Sequence, residues 1–209
     1  KALSMLRHQG VPFKGQIIGE AENKNTLKKL ERLTAELGLA DQVEFLGHQG
    51  DIPACLAKLD LLVLATTTPE AFGRVIIEAQ AAGIPVVATR VGGVPDIVQH
   101  EKTGYLVPAA DPESLAAQIR RILDHPQKTA AMVDQARKQV EKHYTLTAMA
   151  DKIEAVYQKC IQKKILIFKL GSLGDVILIS ASLREIRQYF PDSKITVLTD
   201  PVSKPMLNH

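Results

Sequence analysis

No stretch of this sequence stays apolar for long. Its apolar runs, such as Leu61–Ala65 and Val176–Ile179, are a fraction of the roughly 20 residues that a membrane-spanning helix needs. Cysteine is just as scarce: Cys55 and Cys160 are the only two, with no Cys-x-x-Cys pair or histidine cluster beside either. That argues against a disulfide framework and a thiolate metal site, and reduced thiols in a cytoplasmic protein are the expected state. No secretory leader, low-complexity tract or repeat of fixed period is visible. A large charge imbalance is missing too, with 26 basic and 23 acidic side chains among 209 residues, a net of +3. No nucleic-acid partner is expected. The chain opens on Lys1 within a helix-like run and is expected to be an internal segment of a longer protein.

What is present is ordinary globular composition, 45% hydrophobic and 23% charged, in a length that holds one domain and a fraction. Apolar periodicity, with glycine and proline as punctuation, predicts alternating strands and helices. Strands are expected at Phe13–Ile18, Val43–Leu46, Leu61–Ala65, Pro85–Thr89 and Tyr105–Val107. Helices are expected at Asn25–Leu37, Ile52–Lys58, Phe72–Ala82 and Val94–His100, then near Pro112–Asp124, Lys128–His143 and Leu146–Ile161. This order predicts an α/β fold, one doubly wound parallel sheet with Leu61–Ala65 and Val86–Ala88 near its centre, followed by C-terminal helices. Ligands of such sheets bind beyond the carboxyl ends of the strands.

The most informative stretch, Thr66–Glu78, lies at such a carboxyl end and opens a helix. Glu70 falls in the turn and Glu78 two turns into the helix. Helical rise puts their carboxylates about 10–12 Å apart along the axis. A nucleoside diphosphate sugar has a similar span between its sugar and ribose hydroxyls. A carboxylate at each end, with the diphosphate over the amides of Phe72, Gly73 and Arg74, is sound chemistry. Taken alone, two glutamates at this spacing are equally a helix-start acid and an exposed helix residue.

The run from Glu70 to Ala79, then Gly83–Thr89, Gly92-Gly93-Val94-Pro95 and Gly104–Pro108, closely resembles the group 1 (family 4) glycosyltransferases of the GT-B fold. The resemblance covers about residues 1–160. It implies that Glu70 contacts the donor sugar and Glu78 the ribose. It also implies that Phe72, Gly73 and Arg74 meet the sugar and phosphate, and that Gly92 and Gly93 line the same cleft. The family's diphosphate-clamping cations lie on a strand and loop before the helix that residues 1–7 resemble, and the acceptor-binding domain precedes those. No metal and no cofactor are expected, because amides and basic side chains can neutralise a leaving diphosphate.

A second unit begins near residue 161. Lys164–Lys169 reads as a strand, Leu170–Gly174 as a glycine turn, Asp175–Phe190 as a helix and Lys194–Thr199 as a strand. Residues 159–209 hold eight basic side chains against four acidic ones. Such an excess is ordinarily a solvated face, and peripheral contact with an anionic membrane surface is its functional reading. The stretch from Lys164 to Pro201 looks like the start of the family 9 ADP-heptose–lipopolysaccharide heptosyltransferases, which implies a catalytic base at Asp175. The expected domains are therefore 1–160 and 161–209. Together they predict part of a cytoplasmic cell-envelope glycosyltransferase whose partners are a nucleotide sugar and a glycan or lipid-linked acceptor. A nucleotide-binding module without turnover and a GT-B epimerase or phosphorylase are the alternatives.

Overall fold

Hydrogen-bonding side chains set where several helices start. Asn23 accepts from the Thr26 amide, Asp51 from that of Ala54, and Asp111 from that of Ser114. Each satisfies one of the amides that a helix start leaves unpaired. The computed structural model describes residues 1–21, 23–161, 164–168 and 182–198. In chain order the elements are α1 (Ala2–His8), β1 (Gly15–Ile18), α2 (Lys24–Glu36), β2 (Val43–Gly47), α3 (Ile52–Leu56), β3 (Leu62–Leu64) and α4 (Arg74–Ala81). There follow β4 (Val86–Thr89), α5 (Val94–Ile97), β5 (Tyr105–Val107), α6 (Pro112–Asp124), α7 (Pro126–His143), α8 (Leu146–Ile161), β6 (Lys164–Phe168) and β7 (Lys194–Leu198). The chain divides into two compact units, Lys1–Thr145 and Leu146–His209.

In the first unit every strand pair is parallel, as βα alternation requires. β4 lies between β3 and β5, with Val87 registered to Val63 on one side and to Tyr105 on the other. β4 and β5 are buried along their whole length, and their alternate side chains serve two cores. Val86, Ala88 and Leu106 pack with Leu56, Ile76, Ala79, Val94 and Ile97, from α3, α4 and α5. Val87, Tyr105 and Val107 pack with Leu6, Ala116, Ile119, Ile122 and Met132, from α1, α6 and α7. Helices therefore cover both faces of this sheet, which is why its strands are apolar throughout.

One expectation needs correction. The ladders form two sheets, β1–β2 and β3–β4–β5, rather than one. Among the described strands β3 is consequently an edge strand, not a central one. No described strand joins the two ladders.

In the second unit, β6 and β7 pair in parallel from Lys164 opposite Lys194 to Phe168 opposite Leu198. Residues 182–189 are helical, and Arg187 Nη1 donates to the carbonyls of Pro191 and Ser193 just before β7. The expected glycine turn Leu170–Gly174 and Asp175 lie outside the described residues. Among the described residues no helix is long and apolar enough to cross a membrane.

The α6 cap carries a pH prediction. Asp111 accepts from both the amide and the hydroxyl of Ser114, at 2.9 and 2.6 Å. The Ser114 hydroxyl, then its amide, hold the carboxyl below the usual carboxylate range. A lowered folded-state pKa means stability that is present above the unfolded value, near 3.9, and lost as pH falls through the folded one. Asp111→Ala should therefore lower the melting temperature at pH 7, and the gap from wild type should narrow as pH falls below about 4. Thermal melts of both proteins across pH 3–7 check this. A gap independent of pH would assign the effect to helix propensity instead.

Candidate functional site

β3 ends at Leu64, and the loop 65–73 leads from its carboxyl end into α4. Thr89, the last residue of β4, ties this loop down. Its hydroxyl donates to the Thr66 carbonyl at 2.6 Å and lies 3.3 Å from that of Leu64. The loop thus departs from the carboxyl end of a strand, where open α/β sheets bind ligands.

Gly73 decides the entry into α4. It adopts a left-handed conformation (φ 68°, ψ 47°) as the helix N-cap, which a side chain disfavours. An added Cβ would also stand 3.1 Å from Ile76 Cδ1, one of the fully buried core side chains. The helix accordingly starts at Arg74, two residues later than the expected Phe72. The amides of Phe72 and Gly73, expected to be open to a diphosphate, instead point at Glu70 Oε1, at 3.5 and 3.2 Å. Glu70 thus ties down the turn that leads into α4, while the helix itself has no side-chain N-cap.

Gly92 and Gly93 press on the same loop from the β4–α5 side. A Cβ on Gly92 would lie 2.2 Å from the Glu70 carbonyl oxygen and 2.7 Å from its amide nitrogen. One on Gly93 would lie 2.5 Å from the Ala71 carbonyl oxygen. Gly93 donates its amide to the Glu70 carbonyl at 2.8 Å. The glycine pair is therefore a seat for the backbone of Glu70 and Ala71. It shapes the loop from behind.

On α4, Arg74 Nη2 donates to Glu78 Oε1 at 3.2 Å. Ile76 and Ala79, on the helix's other side, are completely buried. Phe72 is half exposed and packs edge-on against Tyr144, ring centroids 6.3 Å apart. Tyr144, at the end of α7, donates its hydroxyl to the Asp96 carbonyl at 3.1 Å. Burial, then the Asp96 carboxylate, push its phenol up, so it remains a donor. Nothing in the sequence pairs Tyr144 with Phe72; only the return of α7 to the α5 end brings them together. Among the described residues no three histidine, cysteine or carboxylate side chains gather as a metal site.

Glu70, Phe72, Gly73, Arg74, Glu78, Gly92 and Gly93 thus form one constellation. It offers two carboxylates, an exposed aromatic ring, a guanidinium and a helix start, a set suited to a polyhydroxylated anion. Asp175 lies outside the described residues, and the structure does not bear on it.

Residues 1–139 match the family described as "Glycosyl transferases group 1". N-acetyl-alpha-D-glucosaminyl L-malate synthase of Bacillus anthracis is 35% identical over 126 residues, 60% of this chain and 33% of that protein. The lipopolysaccharide core biosynthesis mannosyltransferase LpsB of Rhizobium meliloti is 32% identical over 136 residues, 64% of this chain and 38% of that one. Anabaena HepE, solved in complex with UDP, superposes with a TM-score of 0.71 at 31% identity, covering 76% of this chain and 43% of that one. HepE has also been solved with UDP-glucose. The chain thus spans about a third of the length of the curated relatives it matches. Family match and parallel α/β architecture agree, and the chain belongs to the glycosyl transferases of group 1.

Proposed function

We propose that the first unit is the donor-binding half of a glycosyltransferase that takes a nucleoside diphosphate sugar. Glu70 accepts from hydroxyls of the donor sugar, Glu78 from the ribose hydroxyls, and the start of α4 at Phe72, Gly73 and Arg74 receives the diphosphate. The observation that carries the reading is the placement of the two carboxylates, one in the loop after β3 and one inside α4, flanking the helix start at the strand's carboxyl end. The UDP and UDP-glucose complexes of HepE support it.

In such a transfer the bond from the anomeric carbon to the diphosphate oxygen breaks, a bond from that carbon to an acceptor hydroxyl oxygen forms, and the hydroxyl proton is released to the departing diphosphate or to water. Negative charge builds on the departing diphosphate. A helix start and a guanidinium stabilise that charge where it develops. The relative LpsB favours a cell-envelope glycan or lipid-linked acceptor. The parallel β6–β7 pair with helical residues 182–189 between them supports a second α/β unit, for which we keep the heptosyltransferase-like reading with Asp175 as base.

Glu78→Ala removes the acceptors for two ribose hydroxyls and is expected to weaken UDP binding by the chain about tenfold or more. Calorimetric titration of wild type and variant with UDP measures it. Equal affinities would leave Glu78 as a surface residue of α4.

A further inference from the structure

Arg74 stands where helix physics least favours a cation. It is the first residue of α4, at the positive end of the helix dipole, and that first turn holds no acidic residue. Its partner Glu78 follows it by four, the weaker order for an ion pair along a helix. Both side chains reach solvent, the arginine 82% and the glutamate 37% exposed, so the pair adds little to stability. A local rule is broken without a structural gain, which is what a functional position looks like.

The partner itself supplies the reason. Glu78 is the carboxylate that the donor-site reading assigns to ribose, and its Oε1 is engaged by Arg74. A guanidinium beside a helix start is the combination that a diphosphate satisfies best, since it accepts in bidentate fashion and carries charge. We propose that Arg74 changes partners when donor binds. It leaves Glu78 for the diphosphate, and so frees the Glu78 carboxylate for the ribose hydroxyls. Arg74 is then a positioning and specificity residue that couples the two halves of the ligand. A nucleoside without phosphates must compete with Arg74 for Glu78 and offers the guanidinium nothing in return. A nucleoside diphosphate gains at both ends.

This inference rests on the donor-site reading, and one set of titrations separates the two. The 209-residue chain is titrated with UDP, GDP and ADP, and the tightest is compared with its own nucleoside, uridine in the case of UDP. The titrations are repeated on Arg74→Gln, Arg74→Lys and Glu78→Gln, with circular dichroism to verify folding. In Arg74→Gln, diphosphate affinity should fall about tenfold while nucleoside affinity rises, by up to about threefold. Arg74→Lys should fall in between, keeping the charge without the fork. Glu78→Gln should weaken both ligands. Equal losses for diphosphate and nucleoside in Arg74→Gln, an unchanged nucleoside affinity, or no loss of diphosphate affinity would overturn the exchange and leave the donor site standing. Binding of none of the three diphosphates by the wild-type chain would overturn the donor-site reading, and the exchange with it.

Discussion

Gly92→Ala should be among the most damaging single substitutions in the first unit, lowering its stability by about 2–4 kcal/mol. Two costs combine. The backbone at Gly92 has φ +51°, where any side chain is strained by about 1–2 kcal/mol. The new Cβ would also meet the Glu70 carbonyl oxygen at 2.2 Å and the Glu70 amide nitrogen at 2.7 Å. Both are backbone atoms, so no side-chain rotation relieves the overlap, and residues 70–71 must move. Gly10→Ala is the matched control: its φ is +73°, but a Cβ there would meet nothing within 4 Å. It should show the conformational strain alone. Urea unfolding of both variants, and UDP titration of the folded protein, read the difference. Displacing the Glu70 backbone should cost Gly92→Ala its nucleotide affinity, while Gly10→Ala keeps it. Equal destabilisation of the two would mean that the 70–71 loop yields freely, and the glycine seat would lose its meaning.

How far the site was legible in the sequence depended on whether each interaction was local. β5, α6 and α8 fall at their expected limits, Tyr105–Val107, Pro112–Asp124 and Leu146–Ile161. The start of α6 is written in one turn of chain, from Asp111 to Ser114. The start of α4 was misplaced because Gly73 reads as an ordinary helix-tolerated glycine until its left-handed φ is known. Glu70 was legible as an acid at a helix start, but not as the acceptor for the Phe72 and Gly73 amides. That depends on the same turn. The packing of Gly92 and Gly93 on Glu70 and Ala71, and of Tyr144 on Phe72, joins residues more than twenty positions apart. No periodicity records it. The division into two sheets is a further case: alternation predicts parallel strands, but which strands become neighbours is decided by crossovers. The apolar run Leu61–Ala65 suits a central strand, yet among the described strands β3 pairs only with β4.

Glu70→Ala and Glu70→Gln should part company, and their difference tests the two tasks placed on one carboxylate. In the described structure Oε1 accepts from the amides of Phe72 and Gly73. In the proposed complex the same carboxylate serves the sugar. Glutamine keeps an oxygen that can accept from Gly73, so the loop should hold its shape and stability should stay within about 0.5 kcal/mol of wild type. What glutamine loses is charge, and with it the strength of hydrogen bonds to sugar hydroxyls. Alanine loses the acceptor for the two amides as well, at a cost of about 1 kcal/mol, and leaves both amides open. Those amides would then be free for phosphate without displacing a carboxylate. UDP affinity in Glu70→Ala should therefore equal or exceed that of wild type, although the fold is weaker. UDP-glucose probes the other task. If it is a donor for this chain, its affinity relative to UDP should fall about tenfold in both variants. Calorimetry with UDP and UDP-glucose on the three proteins, beside their thermal melts, gives all the quantities. A loss of UDP affinity in Glu70→Ala matching its loss of UDP-glucose affinity would mean that Glu70 only braces the loop. An unchanged ratio in Glu70→Gln would withdraw the sugar from Glu70 and leave acceptance from the two loop amides as its whole role.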